Sequence, residues 1–309
     1  MNSQTFTVRL PENESIRVDK FVSSLGLFSR SQIARRSVVI KSSSGEPLKL
    51  SRHLKNNDSV VVEWDDLPEI DILPEQTELN IIYEDNNVIV LDKAQGMVVH
   101  PAHGNYHGTL VQGLLYYLNG LDENFNGDKL RPGIVHRLDK DTSGLIITAK
   151  NPETLEFLSG QFKNRKVKKI YLAVTKGIPS PYSSEINIPI GRSRRDRKKF
   201  SVNTVNAKDA LTRYEVIAVS GNYALVKLRI LTGRTHQIRV HMQHSGTPVL
   251  GDPLYSRKDN NFPDVSLMLH SWKLSLEIPG VGKKRFVSDI PDRFKKILTE
   301  LDIDFPEKH

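Results

Sequence analysis

Apolar positions near the start of the chain recur at helical spacing. Four of them fall at i, i+3, i+4 and i+7 and predict one buried helix face: Val18, Phe21, Val22 and Leu25. Ser29 and Gln32 form a capping-box pattern that predicts a second helix directly afterwards. Alternation in TFTVRL and the β-branched runs at 38–40 and 59–64 predict strands. Residues 1–66 are therefore expected to form a small α+β domain.

The next stretch carries the pattern of a linker. Residues 61–90 hold nine acidic side chains and no basic one, and Pro68 and Pro74 interrupt them. Like charges repel and proline disfavours regular structure, so we expect an extended linker over residues 67–79.

Residues 80–309 read as one larger domain. LNIIY and NVIVLD around EDN predict a hairpin, and KIYLAVTKG, ALTRYEVIAVS and YALVKLRIL predict further strands. Asn151 and Pro152 mark a helix start, and four apolar residues predict the face of a closing helix: Phe294, Ile297, Leu298 and Leu301. Runs of adjacent strands with interspersed helices favour an α+β class with a mixed, largely antiparallel sheet.

Composition narrows the possible chemistry. The 309 residues include no cysteine, which excludes disulfides, thiolate metal sites and cysteine nucleophiles. No run of about 18 apolar residues occurs and the start lacks the pattern of a signal peptide, so we expect a cytoplasmic protein without a membrane partner. The formal net charge is +8, and residues 161–200 alone carry twelve Lys or Arg against two acids, which favours a polyanionic partner.

Three clusters combine polar residues with apolar surroundings. In RPGIVHRLDKDTSGLIITAK (131–150), a turn with Asp139, Asp141 and Gly144 leads into a predicted buried strand. The DTSG segment is not an aspartic-protease signature, because serine separates Asp-Thr from glycine. Two aspartates in one turn are also poorly placed for the facing carboxylates of a glycosidase.

The other two clusters lie downstream. In LTGRTHQIRVHMQHSGTPVLGDPLYS (231–256), Arg234 ends a strand and could direct a guanidinium at a carboxylate or phosphate. His236 and His241 are five residues apart, which disfavours a shared metal, so no metal site is expected. In RKVKKIYLAV, Tyr171 follows a run of cations and is either a core residue or a platform for an unpaired base.

Together these clusters resemble a known family. VHRLDKDTSGLIITAK, GRTHQIRVHMQHSGTPVLGDPLY downstream and DKAQGMVVHP upstream resemble the RluA-type pseudouridine synthases, from about residue 80 to 294. Residues 15–63 resemble the small RNA-binding domain that precedes the catalytic domain in synthases acting on large-subunit ribosomal RNA. The sequence departs from the family at two RNA-facing places: Ser193-Arg194 stands where the family commonly has His-Pro, and residues 15–63 lack the usual central glycines.

The resemblance implies roles for individual residues. Asp139 would be the catalytic aspartate, Tyr171 would stack on the target base and Arg234 would pair with Asp139. Arg137, with His136 beside it, would fill the space left by the extruded uridine. Phosphate contacts are expected from the following cations: Arg30, Arg35, Arg36, Lys168, Lys169, Arg195, Arg197 and Lys198.

The resemblance implies a monomeric enzyme that converts uridine to pseudouridine in RNA. It favours large-subunit ribosomal RNA, or its precursor particle, as the substrate. The base leaves through its glycosidic nitrogen and rejoins through carbon five, so no cofactor is needed. Asp139 could act as nucleophile at the anomeric carbon or as base at the neighbouring sugar carbon. Three alternatives stay open: a non-catalytic RNA-binding assembly factor, a synthase acting on transfer RNA, and a histidine-dependent metallohydrolase.

Overall fold

The computed structural model describes residues 2–26, 28, 33, 38–64, 72–102, 104–119, 133–196 and 198–304. The chain divides into two compact units, Met1–Asp71 and Ile72–His309. Within the described ranges, every helix is too short or too polar to cross a membrane.

The first unit contains two small sheets and a helix. Strand β5 (Ser59–Trp64) lies between β1 (Asn2–Thr7) and β3 (Val39–Ser42), and β2 (Ser15–Arg17) pairs with β4 (His53–Lys55), all antiparallel. Helix α1 (Val18–Ser24) buries Val18, Phe21 and Val22 against these strands, which confirms the predicted helix face. The predicted second helix falls almost wholly outside the described residues.

The second unit is built on one large sheet, which confirms the expected α+β class. Strand order is β10-β13-β14-β9-β15-β8-β7-β6, with β16 also paired to β15. Only β8 and β15 run parallel among the pairs of this sheet that the structure describes. The strands of the sheet are β6 (Ile81–Glu84), β7 (Val88–Lys93), β8 (Ser143–Ala149), β9 (Lys168–Lys176), β10 (Ser183–Asn187), β13 (Leu211–Ser220), β14 (Tyr223–Ile230), β15 (Leu269–Ile278) and β16 (Gly282–Val287).

A separate hairpin and four described helices accompany this sheet. The hairpin pairs β11 (Ile190–Arg192) with β12 (Phe200–Val202). The helices are α2 (Leu110–Leu118), α3 (Pro152–Lys163), α4 (Gln237–His244) and α5 (Asp292–Glu300). Asn151 caps α3 by accepting a hydrogen bond from the Thr154 amide, and α5 buries all four residues of its predicted face, so both sequence predictions are confirmed.

Residues 72–79, expected as part of an extended linker, are the first residues of the second unit and pack within it. The Glu75 amide donates to the Gln112 carbonyl at 3.1 Å, and the Glu75 carboxylate accepts from the Gly108 amide at 2.9 Å. Ile72 and Leu79 contact apolar side chains of the second unit. Glu75 thus serves as a local hydrogen-bond acceptor, a role that the charge pattern alone did not indicate.

Gly144 allows the parallel strand pair to form directly after the Asp139 turn. Its φ is +109°, a conformation that favours glycine, and it pairs with Ser271 of β15. A Cβ at Gly144 would collide with the Ser271 backbone carbonyl. The glycine of the DKDTSG segment therefore sets how closely β8 and β15 approach.

Candidate active site

A pocket of about 500 Å³ lies where three parts of the second unit meet. The turn before β8 supplies Asp139, β9 supplies Tyr171, and the segment from β14 into α4 supplies residues 230–239. The first two sequence clusters and the strand that carries Tyr171 therefore line one cavity.

Asp139 is the carboxylate of this pocket. The Thr142 amide donates to the Asp139 carbonyl at 3.1 Å, which forms a tight turn immediately before β8. The side chain is 19% exposed, and its Oδ2 atom lies 3.5 Å from Arg239 Nη1 and 3.9 Å from His236 Nε2. Asp139 is therefore partly open to the pocket and faces two nitrogen groups.

A buried lysine anchors the backbone behind Asp139. Lys93, at the end of β7, is 1% exposed, and burial lowers its pKa to about 8, although Asp141 and Asp139 oppose that shift. The Lys93 ammonium donates to three backbone carbonyls: Ala94 (2.8 Å), Met97 (2.8 Å) and Lys140 (3.1 Å). Gln95 Nε2 also donates to the Asp141 carbonyl at 2.9 Å. The DKAQGM segment therefore acts as a cradle for the Asp139 turn.

Arg239 carries the positive charge next to Asp139. It lies in the first turn of α4, and its side chain is 3% exposed. Asp252, itself fully buried, accepts two hydrogen bonds from the guanidinium, from Nε at 2.7 Å and from Nη2 at 2.8 Å. The amides of Leu254 and Tyr255 donate to Asp252 Oδ1. Asp252 thus fixes the plane of Arg239, whose Nη1 faces Asp139.

The expected pairing of Arg234 with Asp139 is not found in the described structure. The Arg234 Nε donates to the Asp209 carbonyl at 2.9 Å, and its amide donates to Gln237 Oε1 at 3.0 Å. The chain turns at His236, where φ is +58°, and α4 begins at Gln237. That turn directs Arg239 toward Asp139, while Arg234 stays on the rim of the pocket.

His236 faces Asp139 from the start of α4. Its Nδ1 lies 2.8 Å from the Tyr255 hydroxyl, which also accepts a hydrogen bond from the Phe200 amide at 2.8 Å. The Tyr255 hydroxyl can donate its proton to Nδ1, and in that arrangement the neutral imidazole carries its own proton on Nε2, toward Asp139. Burial lowers the pKa of His236 and the Asp139 carboxylate opposes that shift, so the ring is neutral near pH 7.

Tyr171, Phe162 and Lys169 line the side of the pocket formed by β9 and α3. Tyr171 is 6% exposed, and burial raises its pKa above the usual range, with the negative charge of Asp139 acting in the same direction. The Lys169 ammonium lies 5.7 Å from the centre of the Phe162 ring, and burial lowers its pKa to about 8. This side of the pocket therefore combines aromatic faces with a desolvated cation.

His136 and Arg137, the predicted neighbours of the extruded base, point differently. His136 Nε2 accepts a hydrogen bond from the Ile147 amide at 3.0 Å, and its ring stacks on Phe162 at 4.6 Å between centres. Burial, with a smaller contribution from Lys169, lowers the pKa of His136 to about 3, so it is a neutral part of the pocket wall. Arg137 is exposed at the pocket, where a guanidinium can reach RNA.

The remaining predicted phosphate contacts are spread over several surfaces. Arg195 and Lys198 are exposed between β11 and β12. Lys168 is exposed on the face of β9 opposite Lys169, because neighbouring residues of a strand point to opposite sides. Four predicted contacts lie outside the described residues: Arg30, Arg35, Arg36 and Arg197.

Sequence reasoning missed the roles of Arg239, Asp252 and Tyr255. All three lie in the conspicuous segment 231–256, but spacing along the chain did not show which of its polar residues meet. A signal was available for Asp252, since an aspartate after Leu-Gly and before proline can accept hydrogen bonds from the amides that follow it.

The histidines of segment 231–256 do not assemble a metal site. His236 faces Asp139, whereas His241 is buried between Thr212 Oγ1 at 2.9 Å and the Ile188 carbonyl at 3.0 Å. Across the described residues, no group of three His, Asp or Glu side chains is arranged to hold a metal ion.

The chain is similar to known RNA pseudouridine synthases. Residues 87–244 match the family described as RNA pseudouridylate synthase. A ribosomal large subunit pseudouridine synthase D from Borreliella burgdorferi is 45% identical over 94% of this chain and 90% of its own length. An uncharacterized RNA pseudouridine synthase from Bacillus subtilis is 39% identical, covering 94% of this chain and 95% of the relative.

A solved structure gives the same result. Human RNA pseudouridylate synthase domain containing 4 superimposes with a TM-score of 0.58 at 27% identity, over 74% of this chain and 95% of the human chain. The family match over residues 87–244 includes Asp139, Tyr171 and Arg239. The family match and the near full-length relatives show that this chain belongs to the RNA pseudouridylate synthase family.

Proposed function

We propose that this protein isomerises uridine to pseudouridine in large-subunit ribosomal RNA and that Asp139 starts the reaction. The observation that carries this proposal is the Asp139 carboxylate, partly exposed in the pocket and held 3.5 Å from a guanidinium that is itself fixed by Asp252. One oriented carboxylate is the group that the rearrangement requires.

The reaction exchanges one bond of the ribose for another. The bond between uracil N1 and the anomeric carbon breaks, the base turns within the pocket, and a bond forms between C5 and the ribose. The hydrogen on C5 leaves and N1 gains a proton, so no redox partner or co-substrate is consumed. Asp139 suits either first step: attack on the anomeric carbon, or removal of the proton from the neighbouring sugar carbon to give a glycal.

Arg239 serves as a positioning residue for Asp139. A guanidinium held by a single hydrogen bond could rotate, but the bidentate contact with Asp252 fixes its plane and leaves Nη1 directed at the catalytic oxygen. Because both Arg239 and Asp252 are buried, water competes little with this arrangement.

Tyr171 and the exposed Arg137 stabilise the RNA once the target nucleotide has flipped out of its stack. A uridine inside an RNA stack must leave it before its glycosidic bond can be reached, which costs a few kcal/mol. Stacking of a base on an aromatic ring contributes about 1–3 kcal/mol, so contact with Tyr171 offsets that cost. Arg137 then occupies the space that the base vacates.

The choice of ribosomal RNA rests on two considerations. The Borreliella burgdorferi relative is named for the large ribosomal subunit and aligns with 94% of this chain. Residues 17–55 also carry nine Lys or Arg against two acids, which suits contacts with RNA phosphates. We therefore assign residues 1–66 to RNA binding and residues 80–309 to catalysis.

The experiment that tests the function uses large-subunit ribosomal RNA transcribed with uridine tritiated at C5. Pseudouridine formation releases that tritium to water, so purified protein should release it without added metal or cofactor. A transfer RNA mixture with the same label serves as the comparison. Faster release from transfer RNA would reject the ribosomal target, and no release from either RNA would reject the proposed activity.

A further inference from the structure

The large sheet carries a second charged surface on the face opposite the pocket. Lys169 and Tyr171 point into the pocket from β9, whereas Lys168 and Ile170 line a groove of about 560 Å³. This groove, here called the back-face groove, extends over strands β10, β13, β14, β9, β15 and β16. Asp139 and the residues around it do not contribute to it.

Cations dominate the lining of the back-face groove. Among its thirteen lining residues, two are glutamates and six are cationic: Lys168, Arg213, Lys227, Arg229, Lys273 and Arg285. Both glutamates are engaged by cations of the groove, Glu185 by Arg213 and Glu215 by Lys227, each at 2.6 Å. The groove therefore keeps a positive excess after its own ion pairs have formed.

The strand register places like charges together. Arg213 of β13 lies directly opposite Arg229 of β14, and Arg229 lies opposite Ile170 of β9. Ile170 is in turn paired with Lys273 of β15. Like charges opposite each other destabilise a sheet, so folding alone does not account for this row. Within the described residues, the side chains of Lys168 and Arg229 form no hydrogen bond or ion pair.

Lys273 forms the floor of the groove. It is 5% exposed, and its ammonium lies 3.6 Å from the centre of the Trp272 ring. Burial, with repulsion from Arg285, Lys227 and Lys168, lowers its pKa to about 8. A bound anion would offset both effects. Trp272 itself is 3% exposed, so the groove offers charge rather than an open aromatic face for a base.

We propose that the back-face groove binds the phosphate backbone of the substrate RNA, at a site separate from the pocket that receives the target uridine. A polyanion with regularly spaced phosphates matches an elongated groove with cations on several adjacent strands. The identity of that polyanion as RNA rests on the proposed function. Because the sheet separates groove from pocket, only an RNA long enough to pass around the sheet engages both.

The test removes two cations that play no part in the pocket. Lys168 and Arg229 are exposed, and the full-length variant Lys168→Gln with Arg229→Gln should fold like the wild type, since among the described residues it removes no side-chain hydrogen bond or ion pair. The matched control, Lys283→Gln with Lys296→Gln, removes two exposed cations outside the groove. Binding of large-subunit ribosomal RNA and of a short uridine-bearing stem–loop is measured over a range of salt concentrations.

For the long RNA, the groove variant should lose about 0.7–0.9 from the slope of log affinity against log salt for each phosphate contact removed. The control variant should match the wild type, and binding of the stem–loop should be the same for all three proteins. Equal slopes for the groove variant and the control on long RNA would overturn the proposal. Tritium release by the wild type is measured in parallel, so a failed activity and a failed groove are told apart.

Discussion

The guanidinium of Arg239 lies between two carboxylates: it donates two hydrogen bonds to Asp252, and its Nη1 atom is 3.5 Å from Asp139 Oδ2. The two contacts differ in kind, since the pair with Asp252 is fully buried and the contact with Asp139 reaches the open pocket. Asp252 therefore fixes Arg239, and Arg239 in turn positions Asp139.

Replacement of Arg239 by lysine should lower kcat on the order of 100-fold with little change in RNA affinity. Lysine keeps the charge but loses the planar fork that contacts both carboxylates, and small misplacements of a catalytic group cost about that much. Single-turnover tritium release and equilibrium binding measure the two effects. Arg234→Lys is the matched control and should keep near wild-type kcat, because the Arg234 guanidinium contacts a backbone carbonyl at the pocket rim. A larger loss of kcat in Arg234→Lys than in Arg239→Lys would instead identify Arg234 as the partner of Asp139.

Replacement of Asp252 by asparagine should lower the free energy of unfolding by about 3–5 kcal/mol, because it leaves the buried Arg239 without its counter-charge. Urea unfolding of the variant and the wild type measures the difference. At a temperature where the variant is folded, kcat should also fall while KM for RNA changes little. Unchanged kcat in the folded variant would show that catalysis does not require Asp252 to hold the Arg239 guanidinium in place.

The structure also separates two glycines that look alike in sequence. Gly144→Ala should destabilise the protein, because the new Cβ collides with the Ser271 carbonyl and φ is +109°. Gly160→Ala, inside α3 with nothing near the new Cβ, should stabilise it by about 0.5–1 kcal/mol. Thermal unfolding of both variants compares them, and a stable Gly144→Ala would contradict the close approach of β8 and β15.

His136 should make stability fall in mild acid. Its pKa is near 3 in the fold and about 6.5 when unfolded, so between these values the unfolded state binds more protons. Its contribution is full above pH 6.5 and is lost as the pH falls toward 3, by up to about 1.4 kcal/mol per pH unit. His136→Gln keeps an acceptor for the Ile147 amide but does not titrate. Between pH 6 and 4, the unfolding free energy of the variant should depend less on pH than that of the wild type; equal slopes would contradict a neutral His136 in the folded protein.

The sequence was sufficient for the elements whose signals are local. The α3 cap at Asn151, the buried face of α5 and the hairpin of β6 and β7 follow from capping residues and periodicity, and all three are observed. The position of Asp139 and Tyr171 in one pocket was also expected. The partner of Asp139 was not, because α4 is only eight residues long and lacks a side-chain cap, so nothing in the sequence marked its start at Gln237.

Long-range pairing explains the other difference. Lys168 and Lys169 are adjacent and were both expected to contact RNA phosphates, but strand alternation separates them onto two faces of the sheet. Which face holds the pocket depends on how the turn before β8 and the segment before α4 meet β9. That meeting is set by contacts between residues about 30–70 positions or more apart, and single-sequence patterns do not encode it.

The most direct test of the central claim is tritium release by Asp139→Asn, compared with Asp141→Asn in the same turn. Both variants replace a carboxylate by an amide of the same shape, but only Asp139 faces Arg239 and His236. Asp139→Asn should release no tritium while binding ribosomal RNA within a few-fold of the wild type, and Asp141→Asn should remain active. Release by Asp139→Asn near the wild-type rate would contradict the assignment of Asp139 as the residue that starts the reaction.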